Sequence, residues 1–487
     1  MAWYNISRSM IPCKLAYFLL IAKEFAIRMN LVLFLLSIGL SKSQAGLIVG
    51  LRLVSVIGFS PFIGMISDKY RIHRLTIVLC SVIVFIFNAM QPVLALKFGS
   101  KTFLYCSAGS EENRNSTTTS NLNTTSPFST ESPTSTSPPD QQVLFWVMIA
   151  VNLIQSLFDG SLDAFIDTGV MLRIKQSNEN GEKNKYGPQR IFGVLGHMVG
   201  PILGNYSIAL FPSDHVTCYT GVFILYGFLS VCYMLTLLWV FHGLKMDVHD
   251  LKESEEEAPL EEKGEKEKLE QQPFRTVLFR TLLEEEMLVM VLTLFGIGCL
   301  MSEIVYYSFP YLKDLNATTM DLNLYLIIYT VGNFIGFLII PKLVRLVKGS
   351  FPTIFILLIV LVLRFSLVAA FNDPKLISVV QILSMFDYPI TETVGLEFVL
   401  RKSPKRVLTS MYGIINAVQY SLPECVGNTL GGYIYEKFGA KVLFYGCSVV
   451  AATLSLALVL WIVKKQIQET KQVREKNGQE LTLVEKS

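Results

Sequence analysis

Charge is what this sequence has least of for its length. Of its 487 residues, 17% are Asp, Glu, Lys or Arg and 51% are hydrophobic, and the mean hydropathy is +0.46. Soluble domains carry about 25% charged residues, so most of this chain lacks the polar face that water requires. A soluble enzyme and a disordered chain are both excluded. A net charge of +3 is no electrostatic footprint for phosphates, which excludes a nucleic-acid partner. The 5 histidines, among them His73, His197 and His242, are scattered, and the 8 cysteines form no CxxC pair. No metal, cofactor or catalytic centre is expected from them. The GxxxxGK[ST] loop is missing too, so ATP drive within the chain is not expected.

What is present instead is apolar length. A helix that crosses a bilayer needs about 20 mostly apolar residues. Twelve such runs can be read, near 15–38, 44–66, 73–95, 142–166, 190–211, 218–241, 286–310, 322–346, 352–371, 376–398, 408–433 and 440–463. The fold class expected is an all-α polytopic membrane protein with twelve transmembrane helices. The first run is long and is interrupted by Lys23, Glu24 and Arg28, unlike a cleaved leader, and is expected to remain as helix 1.

Orientation follows from the basic residues of the short loops. With both ends of the chain cytoplasmic, the inner loops collect Lys69, Arg71 and Arg74, then Lys342, Arg345 and Lys348, then Arg401, Lys402, Lys405 and Arg406. The outer loops hold single or paired lysines such as Lys42 and Lys313. The sequons at Asn115, Asn123 and Asn316 all fall outside in this arrangement and are expected to carry glycans. Asn5 falls inside and Asn205 within helix 5, so neither is expected to be modified. Cys106 and Cys218 are the two cysteines in outward positions, the one pair to which a disulfide is open. The plasma membrane and an intracellular membrane fit equally well.

Two polar stretches interrupt the apolar runs. Residues 97–141 are rich in Ser, Thr and Pro and are expected to be a disordered, glycan-bearing outer loop. Residues 243–285 mix Glu and Lys densely and read as a cytoplasmic linker, either plainly solvated or binding a partner. They divide a first six-helix half, 1–242, from a second, 286–464, and residues 465–487 follow as a cytoplasmic tail.

A charged side chain at helix centre costs at least about 2.5–3.5 kcal/mol in a bilayer, so it should face protein or a wet cavity. Helix 1 carries Lys23, Glu24 and Arg28, helix 4 carries Asp159, Asp163 and Asp167, helix 7 carries Glu303, and helix 10 carries Asp387, Glu392 and Glu397. Arg52, Arg364 and Glu424 stand on helices 2, 9 and 11. The i, i+4, i+8 spacing puts the three aspartates of helix 4 on one strip. At about 1.5 Å rise per residue, Asp159 lies level with Lys23 and Glu24, Arg364 with Asp387, and Arg52 with Glu424. These groups are either structural ion pairs or a path for substrate and protons, because closely spaced carboxyls exchange protons near neutral pH.

Several stretches bear a family resemblance. Gly64-Met-Ile-Ser-Asp68-Lys69-Tyr-Arg71-Ile-His-Arg74 resembles the signature loop of the major facilitator superfamily, with Arg71 standing where that loop has its second glycine. Asp167-Thr168, followed by Tyr186-Gly187-Pro188-Gln189-Arg190-Ile191-Phe192-Gly193, resembles the aspartate and YGxQRxxG elements of one branch of that superfamily. The branch contains major facilitator superfamily domain-containing protein 6 and its lactose-permease-like and nucleoside-proton-symporter relatives. The segment from Ser41 to Arg52, and Gly427, Gly431 and Gly432 with Lys437-Phe438-Gly439, fit the same branch. The resemblance implies two six-helix halves around a central cavity lined by helices 1, 4, 7 and 10. A faint internal echo agrees with two halves: Phe158-Asp159 recurs as Phe386-Asp387, and Asp167-Thr168 as Glu392-Thr393.

The function expected is a secondary active transporter that moves a small polar or organic solute by alternating access, with a proton gradient as one source of drive. The alternative is a non-transporting receptor or scaffold on the same fold. Glu24, Arg28, Asp159, Asp163, Glu303, Arg364, Asp387 and Glu392 are the candidates for the cavity. Asp68, Arg71, Asp167, Arg190, Arg52 and Glu424 are the candidates for gating, with Asp167 and Arg190 closing the inner side and Arg52 and Glu424 the outer. Tyr306, Tyr307, Tyr325, Tyr388 and Trp239 are either aromatic cavity surface or interfacial packing. Gly193, Gly196, Gly200 and Gly204 form a face of helix 5 suited to close approach, as rocking between the halves would need. The partners expected are the solute, protons and the bilayer, with the chain acting as a monomer. Sugars, nucleosides, organic anions and organic cations all fit such a cavity.

Overall fold

The computed structural model describes residues 10–70, 72–98, 139–179, 187–190, 192–209, 219–243, 274–347, 349–404, 411, 414–415 and 417–484. The Asp68 and Glu397 side chains, Arg71, Asn115, Asn123, Cys106 and Cys218 lie outside what is described.

The helices of the first half are α1 (Ile11–Ser37), α2 (Lys42–Tyr70), α3 (His73–Phe98), α4 (Pro139–Glu179), α5 (Phe192–Ala209) and α6 (Thr220–Val240). Those of the second are α7 (Glu285–Asp314), α8 (Thr319–Val347), α9 (Ser350–Ala370), α10, α11 and α12 (Ala440–Val484). The α10 helix is composite: Pro374–Val380, a 3-10 turn Gln381–Met385, then Asp387–Lys402. In α11 a π turn, Ala417–Ser421, runs into Leu422–Phe438. Each of the twelve apolar runs is thus helical over its described residues. The expected linker ends in a short helix, Phe274–Leu282, and α12 continues well past 464. Beyond the apolar run its residues are mostly Lys, Gln, Glu and Arg, which propagate a helix without needing lipid.

Among the described residues, α3, α4, α6, α7, α8, α9 and α12 are long and apolar enough to cross a membrane by length and composition alone. For α1, α5, α10 and α11 the shortfall has visible causes. Lys23, Glu24 and Arg28 interrupt α1, α5 has 18 residues that include His197 and Asn205, and α10 and α11 are broken.

The chain reverses tightly at Gly39 and Gly439, whose φ angles of 93° and 87° belong to the left-handed region that a side chain would strain. Within the first half α1 packs on α5 and α6, and α4 on α2 and α3; within the second α7 packs on α11 and α9 on α12. Across the halves α2 meets α11, α5 meets α8 and α1 meets α7. Shifting every helix by six converts the α2–α11 contact into the α8–α5 contact, which is the pseudo-symmetry of two equivalent halves. The glycine face of α5 rests on the backbone of α1 at Phe18, Ala22 and Ala26. That contact is internal to the first half, so it serves close packing there and not a sliding surface between halves.

A proline follows each helix break, whereas Pro92, Pro201, Pro310 and Pro341 lie within helices that stay α-helical. Pro389 and Pro423 each lack the amide that would bond four residues back, and their rings crowd the carbonyl there. Those carbonyls belong to Met385 and Gln419, the 3-10 and π segments respectively. Each freed carbonyl lies against a glycine of a neighbouring helix, Met385 against Gly336 of α8 and Gln419 against Gly298 of α7, where a Cβ would collide with it.

Candidate functional site

A narrow cleft with a cavity volume of about 40 Å³ lies between the halves. Phe25 and Arg28 of α1 and His197 of α5 line it from the first half. The second half contributes Tyr388 beside the α10 break, and Gln419, Tyr420 and Glu424 along the α11 break, with Tyr329 of α8 and one face of α7 completing it.

Arg28 and Glu424 cap this cleft. The Arg28 guanidinium donates to Glu424 at 2.9 Å, its Nε donates to the Tyr306 hydroxyl at 2.9 Å, and that hydroxyl donates to Glu424 at 3.2 Å. Further bonds between the halves gather beyond the cap, at the end that carries the Gly39, Asn316 and Gly439 turns. Lys42 pairs with Asp314 at 2.8 Å, the Ser43 amide donates to Glu436 at 2.8 Å, and Asn205 donates to Asn323. The cation bonded to Glu424 at the cap is Arg28, and the expected Arg52 also acts on Glu424 electrostatically. Depth along the bilayer is similar for both arginines on paper, but it is Arg28 that α1 turns toward α11.

Aromatic rings form one wall. His197 stacks on Tyr388 with centroids 5.1 Å apart and planes 13° from parallel, and Phe25 meets His197 edge-on at 4.1 Å. His197 is buried, and neither of its ring nitrogens has a hydrogen-bond partner among the described residues. On the α11 side Gln419 donates to the Tyr420 hydroxyl at 2.6 Å, and that hydroxyl donates to Glu392 at 2.6 Å. Glu392 therefore stands one bond behind the wall. Arg190 lies within electrostatic range of Tyr388 and Tyr420.

Two buried ion pairs stand apart from the cleft. Lys23 pairs with Asp159, which also accepts from the Tyr226 hydroxyl at 2.5 Å, while the Lys23 ammonium sits 4.8 Å from the centre of the Tyr233 ring. Each charge is thereby met by an opposite charge and further polar or aromatic groups, as burial demands. Arg364 pairs with Asp387 and donates to Gln381, and its guanidinium lies 5.8 Å from the Tyr329 ring. That ring is the cleft wall, so this pair stiffens the wall from behind. Asp163 faces Glu24 across the α1–α4 contact. The Tyr17 hydroxyl donates to Asp167 at 2.5 Å, tying the cleft-remote end of α4 to α1.

Of the residues expected in the cavity, Arg28 lines it and Glu392 adjoins it. Glu24, Asp159 and Asp163 lie within the first half, and Arg364 and Asp387 within the second. Glu303 packs against Gly431 in the α7–α11 seam. The α4 helix does not line the cleft as expected, because Lys23 and Tyr226 claim its upper aspartate; α5, α8 and α11 take part in its stead. The pairing of Arg364 with Asp387 and the association of Asp159 with Lys23 stand as the helix depths indicate. Sequence reading missed His197, Gln419 and Tyr420 as cleft residues. The one sequence signal available for the latter two is their position four and three residues before Pro423.

Residues 10–446 match the family model described as "MFS_1 like family". Among solved structures, the chain is similar to the nucleoside transporter NupG, with a TM-score of 0.61 at 14% identity over 93% of this chain and 99% of that one. It is similar to a D-xylose-proton symporter, with a TM-score of 0.59 at 14% identity over 92% and 95% of the two chains. A bacterial homolog of the human lysosomal transporter Spinster, in an inward-facing and unoccupied conformation, matches with a TM-score of 0.55 at 11% identity over 93% and 94%. At these identities the neighbours establish the fold, two six-helix halves, and the family match covers nearly the whole chain. The protein is a multi-pass integral membrane protein of the MFS_1-like family within the major facilitator superfamily.

Proposed function

We propose that the cleft is the solute site of a secondary active transporter working by alternating access, and that the conformation described is the one closed at the Gly39 end. The observation that carries this reading is the cap made by Arg28, Glu424 and Tyr306, which joins side chains of both halves directly over the cleft. It must part for a solute to pass that way. A receptor or scaffold on the same fold is not favoured, since it has no need of a polar, aromatic cleft sealed by a separable ion pair.

The Gly39 end is the outer one in this proposal. The basic loops support a cytoplasmic assignment for the opposite end, and Asn316, an exposed turn residue with φ 60°, would then receive a glycan outside. Protons are the coupling ion in this reading: Asp163 faces Glu24 across the α1–α4 contact, with Lys23 acting on both as well as on Asp159, and closely spaced carboxyls are suited to taking up and releasing a proton. Arg28 and Glu424 neutralise one another, so the cleft suits an uncharged or zwitterionic solute that stacks on Tyr388 and His197. The nucleoside and xylose specificities named for the structural neighbours put uncharged ring-bearing solutes first in a screen. One copy of the chain contains the whole cleft, in keeping with a functional monomer.

Uptake into proteoliposomes, screened with and without an imposed pH gradient, tests the reading. Uptake that the gradient stimulates in the wild type, but not in Glu24→Gln or Asp163→Asn, is the expected result. Absence of uptake across the whole panel under both conditions would sink the transporter reading, and equal stimulation in both variants would remove the proton site from these two residues.

A further inference from the structure

Glu303 belongs to neither ion pair and does not touch the cleft. It lies on α7 with 4% of its surface exposed, and its Oε2 has no hydrogen-bond partner among the described residues. Its carboxyl fills the space above Gly431 of α11, where even a Cβ would collide with it. The groups facing it are weakly polar: Cys299 and Tyr307 on its own helix and Cys447 on α12. The Tyr307 hydroxyl is spent on the Asn428 carbonyl at 2.7 Å. Among the described residues no charged side chain acts on it.

An ionised carboxylate without a cation is costly in such a place, and the usual resolution is neutralisation by a proton. The placement matters because α11 is clamped on two faces. Toward α7 it presents Gly427 and Gly431, on which Ser302 and Glu303 rest. Toward α2 it presents Asn428 and Gly432, against Gly46 and the Lys42 backbone. The second contact is part of the closure between the halves.

We propose that Glu303 is a proton-binding site separate from the cleft: its neutral acid permits the α7–α11–α2 stack described here, and release of its proton to water loosens that stack. Protonation of Glu303 thereby biases the Gly39 end toward closure. The proposal stands on helix packing and does not require that the solute be known.

A hydrophobic carbodiimide supplies the test on the unmodified full-length chain, because it adds to protonated carboxyls in apolar surroundings. Purified protein is treated over a series from acidic to alkaline pH and the peptide bearing residue 303 is followed by mass spectrometry. Modification of Glu303 that persists at neutral pH and is lost at alkaline pH is expected; no modification at any pH overturns the proposal. In parallel, the thermal unfolding midpoint of the wild type should fall as pH is raised, with that dependence lost in Glu303→Gln. The same pH dependence in the variant as in the wild type also overturns it.

Discussion

Arg28 on α1 and Glu424 on α11 form a 2.9 Å ion pair that crosses from one half of the molecule to the other directly over the cleft. Both side chains are mostly buried, so removing one partner leaves the other charge uncompensated. Such truncations cost about 3–5 kcal/mol. Arg28→Ala and Glu424→Ala should each lower uptake by at least about tenfold, and the exchange of Arg28→Glu with Glu424→Arg should recover more of it than either single change. A double variant no better than the worse single one would mean that the pair does not act as a unit.

Lys23 and Asp159 are expected to serve stability more than transport. Lys23→Ala should lower the thermal midpoint markedly, at a cost of about 3–5 kcal/mol, by stranding Asp159 next to Tyr226. Replacing both, with Lys23→Met and Asp159→Leu, should restore most of the loss, as measured by unfolding in detergent. If the double variant is as unstable as Lys23→Ala, hydrogen bonding from Tyr226 and not the ion pair holds the site.

His197 offers two unpaired ring nitrogens beside the cleft. His197→Phe keeps the stacking on Tyr388 and the edge contact with Phe25, so the unfolding midpoint should change little while the KM for uptake rises several-fold, by about 1–2 kcal/mol for a lost hydrogen bond to ligand. An unchanged KM would assign the ring to packing alone.

Pro389 and Pro423 set the shape of the cleft wall. Pro389→Ala restores the amide that can bond the Met385 carbonyl, so it should straighten α10 and leave stability equal or higher while uptake falls. Transport at the wild-type rate together with a raised midpoint would show that the break is not used.

Asn316→Gln should remove one glycan from the protein expressed in eukaryotic cells, read as a faster-migrating band that matches partial deglycosylation. No change in mobility would count against placing the Gly39 end outside.

Much of the fold is legible because bilayer thickness converts apolar run length directly into helices. The depth of a charge is legible for the same reason, which is why Arg364 and Asp387, or Lys23 and Asp159, can be matched on paper. Rotation about the helix axis is not so constrained: each residue turns about 100°, given about 3.6 residues per turn, and helix tilt shifts the facing side. Depth matches Arg52 with Glu424, but only packing reveals that Arg28 of α1 bonds it directly. Uncharged polar rings are harder still. Tyr226, Tyr420 and His197 stand in apolar runs where an aromatic ordinarily packs, and only the partner that folding brings to the hydroxyl or the imidazole reveals what each one does. The exclusion of α4 from the cleft has the same origin, since its charges are consumed within the first half.

The proline breaks give the cleft walls of unequal stiffness. In the first half, α1 and α5 stay α-helical where they reach the cleft, even though Pro201 leaves the His197 carbonyl without its usual bond, and they are locked to one another through glycine and alanine backbones. In the second half, α10 and α11 reach it through a 3-10 and a π segment, each short of a main-chain bond at the level of Tyr388 or Gln419. A solute pressing on this site would therefore deform one side and find the other rigid, so that its binding energy is spent bending α10 and α11. The arginine reads from the firm side and the tyrosines adjust from the soft one.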